Sequence, residues 1–203
     1  MKNIKKHILL FLLASMACAA RADDLGKARL LVATPELQGL YSHTALLAVP
    51  MQGQHIGFIL NRATNVTLAK LFPEHSASAK VVDPIYFGGP EMAGAIFAVV
   101  RSDPGQPSVP LFGGLFVAAT AQAVDRIIEQ TPNEARYFAG FVGWRPGELA
   151  KEIAAGYWYV TDADAAVVFR DDTDSMWEDL VQRLRRQVTT FRLVPALVLH
   201  GPG

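Results

Sequence analysis

The chain has 203 residues, 51% of them apolar, with 19 basic side chains against 19 acidic ones and a single cysteine. That is enough apolar material for one sizeable core, and beyond the N-terminus no apolar run reaches the ~18 residues of a membrane helix, which argues against a helical membrane protein. Beyond the first residues and the short run Arg183, Arg185, Arg186, lysines and arginines are not clustered, which argues against nucleic acid or an anionic membrane as the main partner, because both need concentrated positive charge.

Lys2, Lys5 and Lys6 precede the apolar run Ile8 to Leu13, and small residues then lead to Ala20-Arg21-Ala22 before Asp23. A charged start, a short apolar centre and an A-x-A site define a secretory signal peptide, so residues 1–22 are expected to be removed and the protein to be periplasmic. Ile8 to Ala20 is too short to span a bilayer comfortably as an anchor. Cleavage before Cys18 is the alternative and gives a lipoprotein anchored through that cysteine, although Ser15-Met16-Ala17 lacks the usual leucine. Cleavage after Ala22 removes Lys2, Lys5, Lys6 and Arg21; nineteen basic residues less these four leaves fifteen against nineteen acidic, a net charge of about −4. It also removes the only cysteine, so the mature domain, residues 23–186, relies on packing alone.

Arg29 to Ala33, Thr44 to Val49 and His55 to Leu60 predict strands, the last two forming a hairpin through Met51-Gln52-Gly53-Gln54. Ile85 to Phe87 and Ala95 to Arg101 predict two more around the Gly88-Gly89-Pro90 turn, and the Pro- and Gly-rich segment Ser102 to Gly114 is expected to be an exposed, mobile loop. Thr120 predicts the N-cap of a helix to Gln130, with Val124, Ile127 and Ile128 on its apolar face. Arg136 to Val142 predicts a buried strand. Pro146 predicts the first turn of a helix to Ala155, with Leu149, Ile153 and Ala154 inside and Glu148, Lys151 and Glu152 in water. Ser175 to Glu178 has capping-box spacing and opens a helix along Met176, Leu180 and Leu184 to about Arg186, with Arg183, Arg185 and Arg186 on a solvated face. Residues 187–203 form an apolar C-terminal extension, expected to dock in extended form on the domain or on a partner. Strands and helices mix without a βαβ period, which indicates an α+β fold.

Gly88 and Gly89 could cradle an anion, but Pro90 removes a donor and no phosphate-loop pattern follows, so a tight turn needing positive φ is the expected role. Asn61 and Arg62 end an apolar strand, where they either meet a ligand or satisfy backbone carbonyls, and Arg62 is the best anion-binding candidate. Trp144, Arg145 and Glu148 surround a helix start, where Glu148 suits the helix dipole and can bridge to Arg145. Paired carboxylates for acid–base work need burial, and Lys151 beside Glu148 and Glu152 points to a solvated face instead. His43, His55, His75 and His200 contain no H-E-x-x-H or i, i+4 pair, and no G-x-S-x-G occurs. No metal site, cofactor or catalytic motif is therefore expected.

Three glycine-aromatic segments come in order: Gly57 to Arg62, Phe87 to Pro90, and Gly140 to Leu149. With Ala33-Thr34-Pro35, Trp158 and Trp177, they resemble the YqgE/AlgH family of small bacterial proteins over about Leu30 to Leu184. The resemblance implies a mainly antiparallel, bifurcated sheet forming a pseudo-barrel flanked by helices, and it brings no established reaction. Departures fall at polar positions. Gly39 stands where the family has Asp, His43-Thr44 where it has Arg-Ser, Pro50-Met51 where it has Glu-His, Ala63 where a proline is common, and Ala118-Ala119-Thr120 where it has Thr-Thr-Ser. A kept scaffold with lost polar decoration points to an exported, non-catalytic binding or regulatory domain for a protein or small ligand. The alternative is a hydrolase or transferase whose cleft gathers Arg62, His43 and Glu148.

Overall fold

The computed structural model describes residues 25–193, with side chains to residue 186; the expected signal peptide, Cys18 and residues 194–203 lie outside them. Among the described residues nine strands form one curled sheet. Strands β1 (Arg29–Ala33), β2 (Ala45–Met51) and β3 (Gln54–Ile59) make an antiparallel meander. The β2–β3 turn is Gln52-Gly53, both with positive φ, the hairpin geometry that matches strand twist. Leu30, Val32, Leu47, Val49 and Phe58 enter one core, and Leu31, Ala33, Leu46, Ala48 and Ile59 enter another on the opposite face. Burial on both faces explains why these strands read as unbroken apolar runs.

The remaining strands are β4 (Tyr86–Phe87), β5 (Glu91–Val100), β6 (Val109–Pro110), β7 (Phe116–Ala118), β8 (Ala135–Trp144) and β9 (Trp158–Asp162). Strand β8 is the pivot: its first half pairs with β5 and, in parallel, with β4, while Val142 to Trp144 pair with β3. One long strand thus serves two partly separate ladders, which is the bifurcation. The order β6-β7-β5-β8-β3-β2-β1-β9 is an antiparallel half-barrel with helices outside, the expected α+β architecture. One expectation fails: the 102–114 segment is not simply an exposed loop. Val109–Pro110 add β6 to β7, and Leu111 and Phe112 pack against the core.

Glycines make the junction at β8 possible. A Cβ on Gly88 would stand 2.2 Å from the Gly140 carbonyl oxygen, and one on Gly89 would stand 2.2 Å from the Phe141 carbonyl carbon. The expected positive φ is therefore found at Gly89, at 159° near the edge of extended backbone, and not at Gly88. The requirement is close backbone approach, which any side chain would block.

The α-helices among the described residues are α1 (Leu68–Leu71), α2 (Ala121–Gln130), α3 (Glu148–Ala154), α4 (Ala165–Val168) and α5 (Met176–Leu193). Helix α2 begins where expected, with Thr120 Oγ1 accepting from Ala123 N–H at 3.3 Å. It buries Val124, Ile127 and Ile128, and at ~1.5–3 kcal/mol per large apolar side chain that stripe holds a ten-residue helix that would be marginal alone. Helix α3 starts at Glu148 rather than Pro146, because Gly147 takes φ 78° and resets the chain before the first turn; Ala154 is exposed, not inside. At α5 the Ser175 hydroxyl donates to Asp172 Oδ2 at 2.7 Å, so Asp172 takes the place of the expected capping box. Helix α5 also continues past Arg186 to Leu193, over residues expected to be extended.

Candidate functional site

The chain between β1 and β2 builds the centre of the site. A 3₁₀ turn at Gly39–Tyr41 is followed by His43 in the left-handed region, φ 56°, which is costly for a residue with a side chain. Asn61 offsets that cost from the end of β3. Its Nδ2 donates to the His43 carbonyl and its Oδ1 accepts from Ala45 N–H, both at 2.9 Å. Thr44 Oγ1 closes the corner on the Tyr41 carbonyl at 2.7 Å. Arg62 donates to the Leu40 carbonyl and, at 3.4 Å, to that of Ser42. Asn61 and Arg62 thus both bond to the backbone of the corner that carries Tyr41.

Tyr41 is half-buried and was missed by sequence reasoning, because nothing local marks it. Burial pushes its hydroxyl above the ordinary 10.0, and the carboxylates of Glu152, Glu91 and Glu148 add to the rise, while Arg62 opposes it. Burial also pulls the Arg62 guanidinium below its usual range, with Tyr41 partly restoring it. The Tyr41 hydroxyl therefore feels charged groups from β5, α3 and the segment after β3.

Beneath them lies an aromatic layer. The Trp144 and Trp158 indoles both donate to Glu152 Oε2, at 2.9 and 2.8 Å. Both tryptophans are buried, and the Tyr41 and Trp158 ring centroids are 6.3 Å apart. Trp144 lies over Gly57, where a Cβ would stand 2.7 Å from Cζ3 of the indole. Glu152 corrects the sequence reading: it is half-buried and holds two indoles, rather than sharing a solvated face with Glu148 and Lys151. An i, i+4 pair gives no hint of this, since the tryptophans arrive from two different strands.

Glu148 remains exposed and accepts the backbone N–H of Arg145 at 2.9 Å, so its bridge reaches the main chain of Arg145 and not the guanidinium. Gly88 and Gly89 follow β4, and the Gly88 N–H is already engaged, donating to the Ala139 carbonyl at 2.9 Å. His43 leaves the group: its ring packs edge-on against Trp177, 4.2 Å between centroids. Arg62, His43 and Glu148 are thus each held by a partner of their own rather than by one another. Two apolar side chains flank the charged groups in sequence and are open to solvent, Leu40 beside Tyr41 at 47% and Met92 beside Glu91 at 62% exposure. The single His-carboxylate cluster among the described residues lies elsewhere, at His75, Asp125 and Glu129.

The AlgH-like family model matches residues 30–189. A UPF0301 protein of Chlorobium limicola is 29% identical over 166 residues, 79% of this chain and 87% of that one. One from Myxococcus xanthus is 26% identical over 182 residues, 86% of this chain and 95% of that one. Among solved structures, a Corynebacterium diphtheriae protein superposes with TM-score 0.64 at 23% identity, covering 78% of this chain and 86% of that one. The solution structure of the AlgH protein from Pseudomonas aeruginosa superposes at 0.60 with 22% identity, covering 88% and 95%. These structures share the curled antiparallel sheet and its outer helices. With nearly all of the described residues matched by the family model, the chain belongs to the AlgH-like family, the YqgE/AlgH proteins that its glycine-aromatic segments resemble.

Proposed function

We propose that this protein is an exported, non-catalytic binding domain, and that its contact surface is the patch around Tyr41. The observation that carries the reading is how the polar groups there are used. Arg62 is engaged by carbonyls, Glu152 by indoles and Glu148 by a backbone N–H, so each serves to hold shape. A reaction needs a base or nucleophile poised for a substrate atom, with a perturbed pKa and a partner that activates it. Recognition needs less: apolar side chains in water and a defined charge. Leu40 and Met92 supply the first, and the carboxylates of Glu91, Glu148 and Glu152, with Arg62 opposing them, supply the second. The partner best matched is a protein or small ligand presenting a cationic group between apolar ones.

Export rests on the Lys-rich start, the short apolar run and Ala20-Arg21-Ala22, and cleavage there leaves every described strand in place, since β1 begins at Arg29. N-terminal sequencing of protein from a periplasmic extract should begin at Asp23. An intact Met1 in cytosol ends the export reading, and a lipid-modified Cys18 selects the anchored form. The binding reading is tested by Leu40→Glu and Met92→Glu. Both positions are exposed, so the variants should melt like the parent while losing whatever the parent retains on an affinity matrix; unchanged retention by both removes the patch from consideration.

A further inference from the structure

The spacing of the histidines carries no metal motif, yet folding brings His75 to two carboxylates fifty or more positions further on. Asp125 and Glu129 lie one turn apart on α2, and His75 precedes the 3₁₀ turn Ser76–Lys80 that packs against that helix. His75 Nε2 is 3.3 Å from Asp125 Oδ1 and 4.0 Å from Glu129 Oε1, and one donor atom from each residue lies within 4.8 Å of the other two. A tetrahedral ion with bonds of ~2.0–2.1 Å separates its ligands by roughly 3.3 Å, so small side-chain rotations suffice to close the set.

Two features set this cluster apart from an ordinary exposed acidic patch. The first is the orientation of the imidazole. Its Nδ1 meets Ser78 Oγ at 2.7 Å, and Ser78 is fully buried, so Nε2 is the nitrogen left to face the carboxylates. Metal-binding histidines are aimed in this way by a partner on the other ring nitrogen. A serine hydroxyl can donate to Nδ1 when Nε2 carries the proton and accept from Nδ1 when Nε2 gives its lone pair to a metal, so the buried group is satisfied either way. The second is rigidity with uncompensated charge. Ala77 and Val81 share one apolar cluster with Ala123, Val124, Ile127 and Ile128, which fixes the turn against α2. Among the described residues neither carboxylate has a lysine or arginine within ion-pair distance; each faces only the imidazole.

We propose that His75 Nε2 and one oxygen each from Asp125 and Glu129 form a three-ligand site for a divalent transition-metal ion, with water in the remaining positions. One imidazole with two carboxylates suits zinc or its neighbours, whereas magnesium and calcium prefer oxygen alone. The side chains are 30%, 59% and 60% exposed, so an ion enters directly from solvent.

The test is calorimetric titration of untagged, chelator-treated protein with zinc chloride, and in parallel with magnesium chloride, together with Asp125→Asn, Glu129→Gln and His75→Gln. The expected result is one zinc per chain, no comparable magnesium signal, at least a tenfold loss of zinc affinity in each variant, and a rise in melting temperature with zinc that the variants lack. Metal-free melts check folding; should His75→Gln fold poorly, the two exposed carboxylate variants decide alone. Absence of stoichiometric zinc binding, zinc binding that survives both carboxylate substitutions, or equal affinity for magnesium overturns the proposal and leaves the cluster as an ion-paired histidine.

Discussion

Glu152 Oε2 accepts the indole N–H of Trp158 at 2.8 Å from one helix turn onto a neighbouring strand. The same oxygen takes the Trp144 indole at 2.9 Å, so one carboxylate aligns two buried rings from β9 and β8. Replacing it by an apolar residue of similar size leaves two buried N–H groups without an acceptor, at about 1–3 kcal/mol each. Glu152→Leu should therefore lose several kcal/mol in urea melts and shift the tryptophan fluorescence. Glu152→Gln keeps one acceptor oxygen and should lose less. Equal stability of Glu152→Leu and parent would show that the indoles find other partners.

At the β8 junction the backbones of Gly88 and Gly140 meet with no room for a side chain. Gly88→Val and Gly89→Val should each cost at least ~1–3 kcal/mol, since the atoms they strike are backbone and cannot swing away. Unchanged thermal melting for both variants would remove the close approach from the account.

The start of α5 supplies a pH dependence. The Asp172 carboxylate is held below its ordinary 3.8, first by the Ser175 hydroxyl and next by the Ser175 backbone N–H. A depressed carboxylate stabilises the fold above its ordinary pKa, and that contribution is lost as pH falls through the lower, folded value. Asp172→Ala should thus be less stable than the parent at neutral pH, with the difference shrinking below about pH 4. A difference that stays constant down to the acid transition would contradict the capping role.

The fold was legible where period and punctuation are local. The β2–β3 hairpin, the Thr120 cap and the Val124, Ile127, Ile128 stripe follow from residues close in sequence, and the glycine-aromatic segments carried the family. What escaped depends on distant partners. Glu152 looked solvated because Lys151 is its neighbour, yet the indoles that claim it lie on strands before and after its helix. Gly88 looked like a turn because the strand it touches comes fifty residues later. Tyr41 carried no signal at all, since its surroundings are assembled by Asn61, Arg62 and three separate carboxylates.

The central claim is that the Tyr41 patch meets a partner, and site-specific photo-crosslinking in living cells measures this most directly. A photoreactive residue is placed in turn at Leu40, at Met92 and, as a control of even greater exposure, at Val82, which is 77% exposed on another part of the fold. The account predicts one discrete crosslinked species from Leu40 and Met92, weakened by Glu91→Gln, and none from Val82. No product from either patch position, or the same products from all three, would contradict it.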